Sequence, residues 1–152
     1  MKKLYQLYFA YGSNLNLTQI KKRCPSAKVV SKAKKLNYKL CFPIISIKRN
    51  NKGVASIKKS RGSYVEGVLY LISSKDLFQL DKFEASGRRY ERKKVYVTLK
   101  DKRKRAAWTY IAISDHKENF PPSVTYLNLI LDSAKEHKLS RSYIIDIKKG
   151  VN

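Results

Sequence analysis

Glu84 closes the segment Leu77-Phe78-Gln79-Leu80-Asp81-Lys82-Phe83-Glu84, and its phase there gives it more chemical promise than any other acid in the chain. Ser73, three residues ahead of Asp76, opens this segment as a variant of the capping box and predicts a helix. Each helical residue turns by about 100°, so Glu84 falls about 20° from Leu77 and about 40° from Leu80. The carboxylate therefore shares the direction of the apolar stripe. A carboxyl carried into the core has its pKa pushed upward, and such a group suits general acid–base chemistry near neutral pH. An equally simple reading makes Glu84 a helix-end residue paired with Arg88 or Arg89. Asp81 shares the stripe less well and reads as a hydrogen-bonding helper or a solvated acid. Ala85-Ser86-Gly87 then predicts the helix stop.

A second stretch carries backbone chemistry. Residues 7–16 read Leu-Tyr-Phe-Ala-Tyr-Gly-Ser-Asn-Leu-Asn, an apolar strand that stops at Gly12-Ser13-Asn14 and gives way to a helix capped by Asn16. Leu17 and Ile20 fall on one face of that helix. A strand that ends in a small-residue loop before a helix gathers several N–H groups in one space. Such a nest binds carboxylates and stabilises oxyanions. A bare Gly-Ser-Asn is also an ordinary connecting turn.

Little else is available for catalysis. His116 and His137 are the only histidines, and Cys24 and Cys41 stand in no metal or redox spacing. A catalytic metal site and a histidine triad are therefore not expected, and the cysteines read as two reduced thiols. Carboxylates, hydroxyls and backbone amides remain.

These groups need a scaffold, and the composition provides for one. A chain of 152 residues with 43% hydrophobic residues predicts a single folded domain, residues 1–152. No apolar window approaches a bilayer span, and the apolar run after Lys2 and Lys3 ends in a turn; a cytoplasmic protein is expected. Alternation over residues 36–42 predicts a half-buried strand, residues 46–53 a loop, residues 54–57 a short strand, and residues 60–63 a turn. Residues 64–72 predict a strongly apolar strand interrupted by Glu66 and Gly67. A hairpin follows over 90–99 and 106–113, with the basic tip Lys100-Asp101-Lys102-Arg103-Lys104-Arg105. Ser123 caps a helix whose stripe is Val124, Leu127, Leu131 and Ala134, with Tyr126 on its first turn. A last helix begins after Ser140, with Tyr143, Ile144 and Ile147 inward and Gly150 behind it.

The charge is lopsided: 34 Lys and Arg against 11 acids give a formal +23, and no acid precedes Glu66. Such a field attracts polyanions, including RNA or DNA. Without a nucleic-acid motif it also reads as a lysine-rich solvated surface.

Tyr8-Phe9-Ala10-Tyr11-Gly12-Ser13-Asn14-Leu15, Gly53-Val54-Ala55-Ser56-Ile57, Gly67-Val68-Leu69-Tyr70, Leu80-Asp81-Lys82-Phe83-Glu84 and Pro121-Pro122-Ser123 ahead of Tyr126 follow one another in the chain. In order and spacing this series resembles the landmarks of the γ-glutamylcyclotransferase family, over nearly the full length. The resemblance implies an α+β fold, a small mixed β-barrel flanked by helices. It implies a cofactor-independent, metal-free enzyme that releases 5-oxoproline from a small γ-glutamyl substrate, as a monomer or homodimer. Glu84 takes the place of the family's catalytic glutamate. Tyr8, Phe9, Ala10, Tyr11, Gly12, Ser13, Asn14 and Leu15 take the place of its substrate-cradling strand and loop. Tyr126 and Tyr90 match site tyrosines, the latter across a segment one residue shorter than in the family. The tyrosines would supply hydroxyls and pocket walls, although core packing is the ordinary role for most of the 11 tyrosines. The acceptor is left open: relatives act on γ-glutamyl amino acids, amines, lysine crosslinks or an antibiotic intermediate. The alternative is a non-catalytic binding protein on the same fold, holding RNA, DNA or another polyanion.

Overall fold

A computed structural model of the chain describes residues 4–85 and 89–150. The expected helix stop at 86–87 and the pairing with Arg88 lie outside the described residues. The strands β1 (Tyr5–Ala10), β2 (Lys28–Ser46), β3 (Lys52–Ser73), β4 (Tyr90–Leu99) and β5 (Lys104–Ala112) close into a barrel in the order β1-β3-β2-β4-β5. All neighbours are antiparallel except β5 and β1, which meet in parallel where Tyr8 lies beside Trp108. Helices α1 (Leu17–Arg23), α2 (Ser74–Ala85), α3 (Val124–Glu136) and α4 (Arg141–Gly150) pack around it. The architecture is the expected mixed α+β barrel.

Phe9, Ile57, Val65, Leu69, Tyr70 and Val97 are wholly buried on the strands, with consecutive Leu69 and Tyr70 covered on opposite faces of β3, and Ile20, Leu80 and Ile130 join the same core from the helices. No helix among the described residues is long and apolar enough to cross a membrane.

Two interruptions in the apolar strand have separate causes. A Cβ on Gly67 would lie 2.2 Å from the Ala10 carbonyl oxygen, so only glycine lets β1 and β3 pair here, from Tyr5↔Ser73 to Ala10↔Val68. Glu66 points to α4 instead, where its carboxylate accepts from Ser140 N (2.9 Å) and from the Ser140 hydroxyl. An acid at a helix start satisfies orphan amides and suits the local dipole.

The expected turn at 60–63 does not divide two strands. β3 runs unbroken because the irregularity is absorbed as a bulge against β2: Gly62 (φ +83°) donates its N–H to Oδ1 of Asn37 (3.1 Å), itself left-handed at φ 63°. The β2–β3 connection turns at Asn50 and Asn51, both left-handed, within the expected loop over 46–53. The helix stripes also need adjustment. Leu17 is 39% exposed, and α1 buries only Ile20. Val124 is 76% exposed, and the inner face of α3 is Tyr126, Ile130, Leu131 and Ala134. In both helices the apolar residue at the first position is left exposed. The inner residues of α4 are Tyr143, Ile144 and Ile147, as the pattern predicts. Cys24 and Cys41 are buried free thiols.

Candidate active site

The turn after β1 fixes the first wall of a cavity. Leu15 N bonds to the Gly12 carbonyl and Asn16 N to that of Ser13, both at 3.0 Å, so the amides of Gly12, Ser13 and Asn14 take no part in the turn's own bonds. Tyr70 donates its hydroxyl to the carbonyls of Asn14 (2.9 Å) and Leu15 (3.2 Å), and His137 Nε2 donates to the latter (2.6 Å). The loop is thereby held from beneath. Asn16 caps α1 by accepting from Gln19 N (2.8 Å).

Opposite the loop, α2 delivers Glu84. Its N-terminus is pinned twice: Ser73 Oγ accepts from Asp76 N (3.1 Å), and the Asp76 carboxylate accepts from Ser26 N (2.8 Å) and the Ser26 hydroxyl. Leu77 and Leu80 are buried, and the helical phase that buries them carries the Glu84 side chain inward to 17% exposure. Burial raises its carboxyl above the ordinary 4.5, while the Arg23 guanidinium and the Asn14 amide pull it back. Arg23 Nη1 stands 3.8 Å from Glu84 Oε1, and Asn14 Nδ2 donates to the same oxygen at 3.4 Å.

Asn14 is fully employed. Its amide nitrogen also donates to the Tyr8 hydroxyl (2.9 Å), while its oxygen accepts from Gln19 Nε2 (2.9 Å) and Arg23 Nη1 (3.1 Å). A buried side-chain amide with every bond made has one orientation available.

The remaining wall is tyrosine. The Ala55 peptide of β3 is gripped from both sides: its N–H donates to Tyr126 Oη (3.0 Å), and its carbonyl accepts from Tyr90 (2.7 Å). Tyr11 donates to the Tyr110 carbonyl (2.5 Å), and Tyr110 donates to Asp81 (2.6 Å). Burial, with Glu84 also among the causes, lifts the Tyr8, Tyr11 and Tyr90 hydroxyls well above 10 and that of Tyr126 to about 12. All stay protonated at neutral pH, as hydrogen-bonding walls and not as bases.

Together these groups line a small cavity open on one side. Of the residues expected at the site, Tyr8, Phe9, Tyr11, Gly12, Ser13, Asn14, Glu84, Tyr90 and Tyr126 line it. Ala10 and Leu15 do not; both are buried in the core beneath. Ala55, Thr109 and Tyr110 complete the lining and were not anticipated as site residues. Ala55 reaches the cavity by tertiary contact that no local signal announces: a Cβ on Gly12 would sit 3.3 Å from that of Ala55, so the loop and β3 touch. Asp81 is paired with Arg92 (3.0 Å) outside the cavity lining, and the Arg89 side chain makes no ion pair with Glu84. No group of three or more His, Cys, Asp or Glu able to hold a metal occurs among the described residues.

Residues 64–147 match the AIG2-like family. The γ-glutamylcyclotransferase of Bos taurus is 35% identical over 142 residues, spanning 90% of this chain and 74% of the relative. The chain belongs to the γ-glutamylcyclotransferase family. The Homo sapiens γ-glutamylcyclotransferase is 34% identical over the same shares of the two chains. A solved γ-glutamyl cyclotransferase structure superposes with a TM-score of 0.88 at 32% identity, covering 95% of this chain and 87% of its own. The protein is thus an enzyme of the γ-glutamylcyclotransferase type, on that family's fold.

Proposed function

We propose that the enzyme cyclises the γ-glutamyl group of a small substrate with Glu84 as general base and then general acid. The reading is carried by one observation: the largely buried Glu84 carboxylate lines the same cavity as the loop after β1 and accepts a hydrogen bond from the Asn14 side chain of that loop. Glu84 as carboxylate takes a proton from the substrate α-ammonium. The freed amine attacks the γ-carbonyl carbon, forming the lactam C–N bond while the oxygen gathers negative charge. The amides of Gly12, Ser13 and Asn14 hold the substrate and stabilise that oxygen. The C–N bond to the leaving amine then breaks, the carbonyl re-forms, and Glu84 returns its proton to the departing nitrogen. The products are 5-oxoproline and an amine or amino acid, with no net oxidation and no water consumed. Tyr8, Tyr11, Tyr90 and Tyr126 shape the pocket around the glutamyl chain.

Assay of 5-oxoproline from a panel of γ-glutamyl amino acids, γ-glutamyl-ε-lysine and glutathione tests this. Release from at least one member is expected, and silence across the panel would contradict it.

A second reading rests on the basic hairpin tip: β4 pairs with β2 at Ala33↔Leu99 and Lys34↔Thr98, so the tip lies beside the lysine-rich β2 and concentrates positive charge. This patch would hold RNA or another polyanion by counterion release. Salt-sensitive retention on an RNA column without 5-oxoproline release would favour it.

A further inference from the structure

The glutamyl cavity adjoins a wider hollow open to the surface, and the two share Ser13, Glu84, Tyr90 and Tyr126. If the glutamyl group fills the inner space, the leaving amine stands at Glu84 and the rest of the leaving portion must occupy the outer space. That outer wall is strongly cationic: Arg23, Lys48, Arg49 and Arg89 line it, and among the described residues its only acid is Glu84. The cations are placed by the fold. Residues Ile47–Arg49 form a 3-10 turn, ended by left-handed Asn50, that sets Lys48 and Arg49 over the cavity. Arg49 is fixed by donating to Gln19 Oε1 (3.1 Å), with its guanidinium 5.1 Å from the Tyr126 ring centre. Arg23 is already engaged with Asn14 and Glu84. Lys48, Arg49 and Arg89 have no carboxylate within 4.0 Å among the described residues. Like charges converging on one cavity without an acid to offset them repel one another, and a polyanionic occupant relieves that repulsion.

Building on the cyclotransferase reading, we infer that the preferred leaving portion is a dicarboxylic amino acid, whose two carboxylates are received by Lys48, Arg49 and Arg89. γ-Glutamyl-glutamate and γ-glutamyl-glutamine have the same shape and differ by one charge. The inference predicts kcat/KM about 10-fold higher for the glutamate compound at low salt, with the ratio shrinking at high salt. In the double variant Lys48→Gln, Arg89→Gln the ratio falls towards one. Equal kcat/KM for the two compounds, or a ratio unmoved in the double variant, would overturn the inference while leaving the cyclotransferase reading intact. Turnover of neutral acceptors with silence on γ-glutamyl-glutamate would do the same. Release of 5-oxoproline from no γ-glutamyl compound would overturn both.

Discussion

The amide nitrogen of Asn14 lies 3.4 Å from Oε1 of Glu84, joining the loop after β1 to the end of α2 across a sequence separation of 70 residues. Around this contact the carboxylate is held between opposing influences. Burial favours its protonated form, and Arg23 with Asn14 favours the charged one. Both forms are needed by a group that must accept a proton and then return it.

The balance has a pH signature. The acid limb of kcat/KM reports ionisation of the free enzyme's base, here expected above the ordinary glutamate value. Arg23→Gln removes the cation that draws that pKa down, so the limb should move to higher pH. A pH–rate profile of the variant that superposes on the parent would contradict the assignment.

Stability should move opposite to activity at Glu84. Its pKa is higher folded than unfolded, so folding favours the protonated form. That contribution is fully present below the unfolded pKa and is lost as pH rises through the folded one. Glu84→Gln should therefore raise Tm above neutrality, with the gain fading as pH falls below the ordinary glutamate value. Thermal scans across pH would show it, and a lower Tm in alkaline buffer would count against a desolvated carboxylate.

Tyr126 and Tyr90 hold Ala55 from opposite sides. Tyr126→Phe leaves a buried peptide N–H without its acceptor, which costs about 1–3 kcal/mol. Urea unfolding should show the loss as a lower midpoint with unchanged slope. An unchanged midpoint would mean that the Ala55 N–H finds another acceptor.

Two of the three glycines of β3, Gly67 and Gly62, should differ sharply. Gly67→Ala places a methyl 2.2 Å from the Ala10 carbonyl oxygen, whereas a Cβ on Gly62 meets nothing within 4 Å. The first change drives β1 from its partner, at the upper end of the ~1–3 kcal/mol cost of overpacking. The second costs about 1 kcal/mol for a left-handed backbone. Denaturation midpoints in the reverse order would show that β1 can shift without penalty.

Much of this was legible in the chain. The phase of Glu84 against Leu77 and Leu80 foretold its burial, and Gly12-Ser13-Asn14 foretold the loop, because both signals are local. Ala55 and Tyr110 were hidden because their places at the site come from tertiary contact: one is clasped by tyrosines from β4 and α3, the other carried in by β5. Ser60-Arg61-Gly62-Ser63 misled because a bulge uses the residues of a turn. Val124 misled because periodicity sets a helical face without saying how far the barrel extends beneath it. His116 and His137 hold the scaffold: His116 meets Ser56 (3.0 Å) and His137 meets the Leu15 carbonyl.

The most direct test of the account is 5-oxoproline release by Glu84→Gln beside the parent enzyme, on whichever γ-glutamyl compound the parent turns over. Loss of the proton-transfer group should lower kcat by about 10²–10⁴-fold in a variant that still folds. Turnover by the variant within a few-fold of the parent would contradict Glu84 as the acid–base group.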